Sequence, residues 1–338
     1  MLSPALAKKV VHAAACSVSF GQAEEDLRVL AEVKVSANRI HRAAQRIGGE
    51  RVADSRAAAT TYQQLPLPSR QQSPGPAPPD VACIQADGGR IQIRPRDREP
   101  NAADSWWRET KVGCLLAMTS DQHALDPAPD IPETFVDHAA MAKISREIKG
   151  VSADAATPES TRANGHQPPR KAPQVVAQTV VATTKNVEVF GDLLVATAHA
   201  LGLAAAERKA FVADGSETNW GLWRRHFSHY TPILDWVHAV CYVYAAAMAG
   251  VSAADGWAAY CQWAQWLWKG EVDLILEQLR ERQRQIGLPA EGDPETSPQN
   301  RVADALRYLA NQRSRMNYPE YRRLGLPITS SHVESTIK

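Results

Sequence analysis

The chain has 338 residues, 44% hydrophobic and 22% charged, with a net charge of +1. That length predicts a main domain with at least one smaller appendage, and no apolar run is long enough for a membrane span. Five widely spaced cysteines (Cys16, Cys83, Cys114, Cys241, Cys261), with no Cys-x-x-Cys pair, argue against structural zinc and predict a reducing, cytoplasmic setting.

Residues 8–16 read as a small-residue helix rather than a leader. A helix over 22–33 follows, and Ser36 caps a second over 37–47 that Gly48-Gly49 ends. In the second helix Ile40, Ala43, Ala44 and Ile47 form the buried stripe, leaving Asn38, Arg39, Arg42, Gln45 and Arg46 outward. Such side chains reach phosphates and base edges of double-stranded DNA, and the pair fits a helix-turn-helix; a plain helical hairpin fits it as well. Two segments, 34–56 and 301–323, each carry six basic against two acidic residues and are candidates to face phosphates or, alternatively, solvated helix faces.

The expected organisation is a helical DNA-binding region over 1–63, a Pro-rich linker over 64–80 and a main domain over 81–338. Strands are expected at 81–86, 91–94 and 111–118, the first two paired through a short antiparallel link. Residues 121–180 read as a partly disordered insertion holding one helix at 135–148. A helix over 187–201, strands over 209–213 and 231–234, and an almost wholly helical run over 236–309 complete the chain, with breaks near Gly250 and at 288–298. Within it, 240–310 is the expected helical insertion, and Trp257, Trp263, Trp266 and Trp268 form a packed core. The pattern predicts an α/β fold, a mixed sheet with helices packed on both faces.

Twice an apolar run ends in Ala-Asp-Gly, at Asp87 and at Asp214. A carboxylate at the end of a buried strand is costly unless it is paired or binds a metal. Glu334, within the first turn of a helix that Ser330 or Ser331 can cap, is the candidate third carboxylate. Asp235, with His238 one turn on, competes for that place and is otherwise assigned a supporting role. Three oxygen donors of this kind suit two magnesium or manganese ions for phosphodiester chemistry. The bland alternatives are turn-forming Asp-Gly pairs and a capping-box glutamate.

Five segments occur in an order that carries a resemblance. They are Ala86-Asp87-Gly88-Gly89-Arg90, Trp107-Arg108-Glu109-Thr110-Lys111-Val112-Gly113, Ala213-Asp214-Gly215-Ser216 with Trp220 and Trp223, Ile233-Leu234-Asp235-Trp236-Val237-His238-Ala239, and YRRLGLPITSSHVESTIK at 321–338. Together they resemble the ISKra-type, ISLre-related bacterial insertion-sequence transposases. The resemblance implies an RNase H-like DDE core, with Asp87, Asp214 and Glu334 as catalytic and metal-holding residues and two Mg2+ or Mn2+ ions as cofactors. It further implies an N-terminal reader of terminal repeats, a homo-oligomer on element-end and target DNA, and a bacterial, nucleoid-associated cytoplasmic protein without membrane partners. Members continue past the Glu-Ser-Thr-Ile-Lys stretch, so a C-terminally truncated copy, with its activity in question, is the expectation. The rivals are a stand-alone RNase H-like nuclease and a non-catalytic, transposase-derived DNA-binding protein.

Overall fold

The computed structural model describes residues 2–72, 77–92, 107–149 and 172–337 and divides into two units, Met1–Arg70 and Gln71–Lys338. Pro74, Pro76, Arg94, Lys338 and the 150–171 part of the expected insertion lie outside the described residues.

The smaller unit contains α1 (Pro4–Cys16), α2 (Phe20–Leu30) and α3 (Ala37–Gln64) around a core of Val10, Ala23, Leu27, Val35, Ile40 and Ala43. Ser3 and Ser19 cap α1 and α2 through their hydroxyls, which accept from Leu6 N at 3.3 Å and Gln22 N at 3.1 Å. Ser36 makes no such bond; instead Glu24 Oε2 accepts from Ala37 N at 2.7 Å, tying α2 to the start of α3. The expected stop at Gly48-Gly49 is wrong, since α3 runs on to Gln64. Each glycine costs a helix about 1 kcal/mol relative to alanine. Strong helix formers on both sides offset that cost, and Arg46 bridges the glycines to Glu50 at 2.9 Å. The expected linker holds a short helix, α4 (Leu67–Gln71), whose Arg70 Nε donates to Leu65 O at 3.0 Å.

The larger unit is α/β. Its five-stranded mixed sheet consists of β1 (Val81–Gln92), β2 (Trp107–Thr119), β3 (Gln174–Thr183), β4 (Arg208–Ala213) and β5 (Thr231–Leu234), in the order β3-β2-β1-β4-β5. β1 pairs antiparallel with β2, and β2 with β3, while β1, β4 and β5 are parallel neighbours.

Two strand expectations need correction. Ile91 belongs to β1 itself, not to a second strand folded back on it. Asp87-Gly88 makes no hairpin, because pairing with β2 continues through Asp87 with Val112, Gly88 with Lys111 and Gly89 with Thr110. The turn signal is overridden by a long partner strand. Conversely β3 occupies the end of what read as an insertion over 121–180. It is an edge strand with mostly exposed side chains, so it lacks the apolar alternation that marks a half-buried strand.

Helices cover both faces of the sheet. Ala86 and its cross-strand partner Gly113 face α6 (Val187–Ala200), the bare Cα of Gly113 admitting Leu194 and Phe190. The alternate residues Gln85 and Cys114 face α13 (Ser331–Ile337), through Val333 and Thr336. The remaining helices are α5 (His138–Lys149), α7 (Glu217–His226), α8 (Trp236–Ala247), α9 (Ala253–Trp268), α10 (Val272–Ile286), α11 (Pro298–Gln312) and α12 (Tyr318–Arg323). Trp263 and Trp268 are buried in the main core, and Trp257 and Trp266 pack partly buried against it.

Four arginines of the second basic segment pair with carboxylates, but of these only Arg322 is buried. Arg322 is buried between Asp126 and the Trp268 ring, 4.0 Å from its centroid, while Arg307, Arg313 and Arg323 pair with Asp304, Asp273 and Glu320. Arg322 holds the fold, while Arg307 and Arg313 stay exposed in surface pairs.

Candidate active site

Three neighbouring parallel strands each lead into an aspartate at the same level. The last matched residues are Ala86, Ala213 and Leu234, and the next residues along the chain are Asp87, Asp214 and Asp235. The carboxyl ends of parallel strands are where open α/β sheets place their ligands, since the backbone there gives way to loops and helix starts.

Asp214 closes the turn from β4 into α7. Its Oδ1 accepts from Ser216 N at 3.0 Å and from Asn219 Nδ2 at 2.9 Å, and Asn219 Nδ2 also donates to Ala86 O at 3.1 Å. The buried Asn219 therefore ties the β1 end to the Asp214 turn. From the far side α11 holds the same turn: Tyr308 Oη donates to Asp214 O at 2.6 Å and Gln312 Nε2 to Gly215 O at 3.0 Å. Gly215 has φ of +94°, which favours glycine.

Asp87 is half-buried, and its Oδ1 accepts from Gly88 N at 2.7 Å. Burial drives its pKa up to about 6, the Gly88 N–H counteracts, and the negative charges of Asp214 and Glu334 add to the rise. Asp87 and Asp214 are thus neighbours at one end of the sheet, but among the described residues their carboxylates do not join Glu334 in a cluster with ligand atoms within 4.8 Å.

Asp235 differs in kind. It is fully buried and caps α8, its Oδ1 accepting from His238 N at 2.8 Å. Its Oδ2 accepts from both Ser330 N and Ser330 Oγ, the latter at 2.6 Å. Burial alone would raise its pKa, but the bonds and charge of His238 with the Ser330 hydroxyl outweigh that and hold it below the usual carboxylate range. His238 Nδ1 lies 3.3 Å from Asp235 Oδ1 and 3.8 Å from Glu334 Oε1. Burial disfavours the imidazolium, yet Asp235 and Glu334 prevail and push its pKa up to about 9.

Ligand atoms of Asp235, His238 and Glu334 lie within 4.8 Å of one another, a carboxylate and histidine cluster able to hold a cation. Within it the groups are unequally free. Asp235 accepts three hydrogen bonds, and His238 Nδ1 lies between it and Glu334. Glu334 Oε1 faces Ser330 Oγ at 2.9 Å, but that hydroxyl has one hydrogen and Asp235 lies nearer. Glu334 therefore keeps lone pairs to offer, as does Asp87, whose side chain accepts from one backbone amide.

The five candidate DNA contacts Asn38, Arg39, Arg42, Gln45 and Arg46 are all exposed on α3 of the smaller unit. Sequence reasoning missed Gln85, Asn219, Tyr308 and the side-chain direction of Ser330, which bonds Asp235 and Glu334 instead of capping α13. A buried polar residue inside an apolar strand, Gln85, was the one available signal. Comparison of the chain with protein-family models finds no match, and comparison with curated proteins finds none either.

Proposed function

We propose that the chain is a DDE-type DNA transposase whose larger unit is an RNase H-like catalytic domain. The observation that supports this reading is that Asp87 and Asp214 stand at the adjacent carboxyl ends of β1 and β4, with Glu334 on a helix that Gln85 ties to β1, although the ligand atoms within 4.8 Å of one another are those of Asp235, His238 and Glu334. A mixed sheet ordered β3-β2-β1-β4-β5, with helices on both faces, is compatible with the RNase H-like core that the sequence motifs imply.

The donor set fits hard divalent cations: three carboxylates, two of them with uncommitted lone pairs. Asp87, Asp214 and Glu334 would hold two Mg2+ or Mn2+ ions. Such ions supply a lowered pKa for an attacking water or 3′-hydroxyl and charge stabilisation for the leaving oxygen. The chain's own residues do the rest. Asn219 and Tyr308 fix Asp214, the Asp235 and Ser330 pair fixes the approach to α13, and His238 balances the charge of Asp235 and Glu334.

Exposed Arg39, Arg42 and Arg46 would supply phosphate affinity, and Asn38 and Gln45 base contacts, for a helix-turn-helix reader of element ends. Action on paired ends calls for a homo-oligomer on DNA in the bacterial cytoplasm.

The test uses duplex DNA carrying the sequences that flank the chain's own reading frame. With Mg2+ or Mn2+, nicking at those ends and joining of pre-cleaved 3′-hydroxyl ends to a target are expected. Asp87→Asn, Asp214→Asn or Glu334→Gln should each lower both by on the order of a hundredfold or more. Nicking without joining would point to a stand-alone nuclease, and metal-dependent DNA binding with neither reaction to a non-catalytic binding protein.

A further inference from the structure

Gln85 is a fully buried polar residue in the middle of an apolar strand, a placement that is costly unless both ends of its amide are paired. Both are. Nε2 donates to Thr329 O at 3.0 Å, and Oε1 accepts from Val333 N at 3.1 Å. The two bonds bracket the start of α13, and Val333 immediately precedes Glu334.

That helix has seven residues, a length that is marginal without tertiary support. Ser330 sits where a capping hydroxyl belongs, but it turns to Asp235 and Glu334. Gln85 supplies a side-chain acceptor from another element of the fold, shared at the Val333 amide with Ser330 O at 3.0 Å. It also lies two residues before Asp87, and residues two apart on a strand share a face. Its cross-strand partner Cys114 continues the contact, with Sγ 3.5 Å from Thr336 Oγ1.

We propose that Gln85 is a positioning residue: its amide latches α13 onto β1 and so sets Glu334 against Asp87. This rests on the two-metal reading above. A latch on the same strand as Asp87 gives the two carboxylates a common reference, although they are far apart in the chain.

The experiment is Mn2+ titration by calorimetry on the full chain, with hydrogen exchange at the Val333 amide as a second readout. Gln85→Met keeps the length and burial and removes both bonds; it should weaken Mn2+ about 10- to 100-fold and speed Val333 exchange about tenfold or more. If Gln85 acts through Glu334, Gln85→Met adds nothing to the loss already caused by Glu334→Gln. Should Gln85→Met not fold, Gln85→Asn keeps an amide but falls one methylene short, and the same pattern is expected. Unchanged Mn2+ affinity, or losses that multiply in the double variant, overturns the latch while leaving the metal reading intact. Wild-type protein whose Mn2+ binding is absent, or indifferent to Asp87→Asn, overturns the two-metal reading and the positioning role with it.

Discussion

Asp87 and Asp214 each follow a matched alanine, Ala86 and Ala213, on adjacent parallel strands, and the Asp214 charge helps to raise the pKa of Asp87. A carboxyl whose folded pKa is raised favours its protonated form in the native state. The associated stability is present in full below the usual value of 3.8 and is lost as pH rises through about 6. At pH 7.5 the metal-free protein therefore carries a penalty that Asp87→Asn removes. The variant should melt about 2–4 °C above the wild type at that pH, with the advantage fading towards pH 4. Added Mn2+ should reverse the order, because it stabilises the form that binds it. Equal melting curves at pH 7.5 would show that burial and the neighbouring charges do not raise the Asp87 carboxyl.

His238 has the opposite relation to its surroundings. Burial opposes its charge, but Asp235 and Glu334 raise its pKa from 6.5 to about 9. A raised histidine contributes stability that is complete below 6.5 and lost as pH climbs through 9. Urea unfolding should accordingly show wild-type stability falling between those limits, and His238→Ala a flatter profile. At pH 6 the variant should lose about 3–5 kcal/mol, since it leaves Asp235 buried without its cation. Parallel profiles would mean that the pair is not charged as described.

How far the sequence disclosed this site depends on which physical signal each residue left. Asp87, Asp214 and Asp235 were visible because a charge ending an apolar run contradicts burial, and each marks the same level of the sheet. The strands β4 and β5 were legible because they are buried and continuous; the edge strand β3, exposed on most positions, left no alternation to read. Asp87-Gly88 shows the reverse failure, a strong local turn signal overruled by pairing with β2. Local reading also stopped α3 too early, because the cost of two glycines is smaller than the helical preference of their neighbours. Asn219 and Tyr308 were out of reach, since each acts through a backbone carbonyl distant in sequence.

Gly215 offers a test of how Asp214 is held. With φ at +94°, a Cβ here would be strained, and it would also lie 2.9 Å from Tyr308 Cε2 and 3.0 Å from Leu234 Cδ1. Gly215→Ala must displace the ring whose hydroxyl donates to Asp214 O. A stability loss of about 1–3 kcal/mol is expected from the backbone alone. Weakened Mn2+ binding should accompany it. Tyr308→Phe, which removes the hydroxyl and keeps the ring, should weaken Mn2+ with a smaller loss of stability of about 1 kcal/mol. Intact Mn2+ affinity in both variants would separate the α11 contacts from the metal site.

The smaller unit can be tested through charge. Arg39, Arg42 and Arg46 recur at helical spacing and are exposed on α3, flanking the buried Ile40 and Ala43. Arg46 is paired with Glu50 at 2.9 Å, so a phosphate must compete with that carboxylate. Arg39 and Arg42 should therefore contribute more to DNA affinity than Arg46. Fluorescence anisotropy with a random-sequence duplex over a salt series checks this directly. Each phosphate contact removed should flatten the slope of log affinity against log salt by about 0.9. Arg39→Ala and Arg42→Ala should each show that change, Arg46→Ala a smaller one, and Glu50→Gln should steepen the slope by freeing Arg46. If Asn38 and Gln45 read bases, Asn38→Ala and Gln45→Ala should leave the random-duplex slope unchanged and weaken only binding to the flanking-sequence DNA, by about 1–3 kcal/mol each. Identical slopes across the arginine series would place the DNA contact elsewhere on the chain.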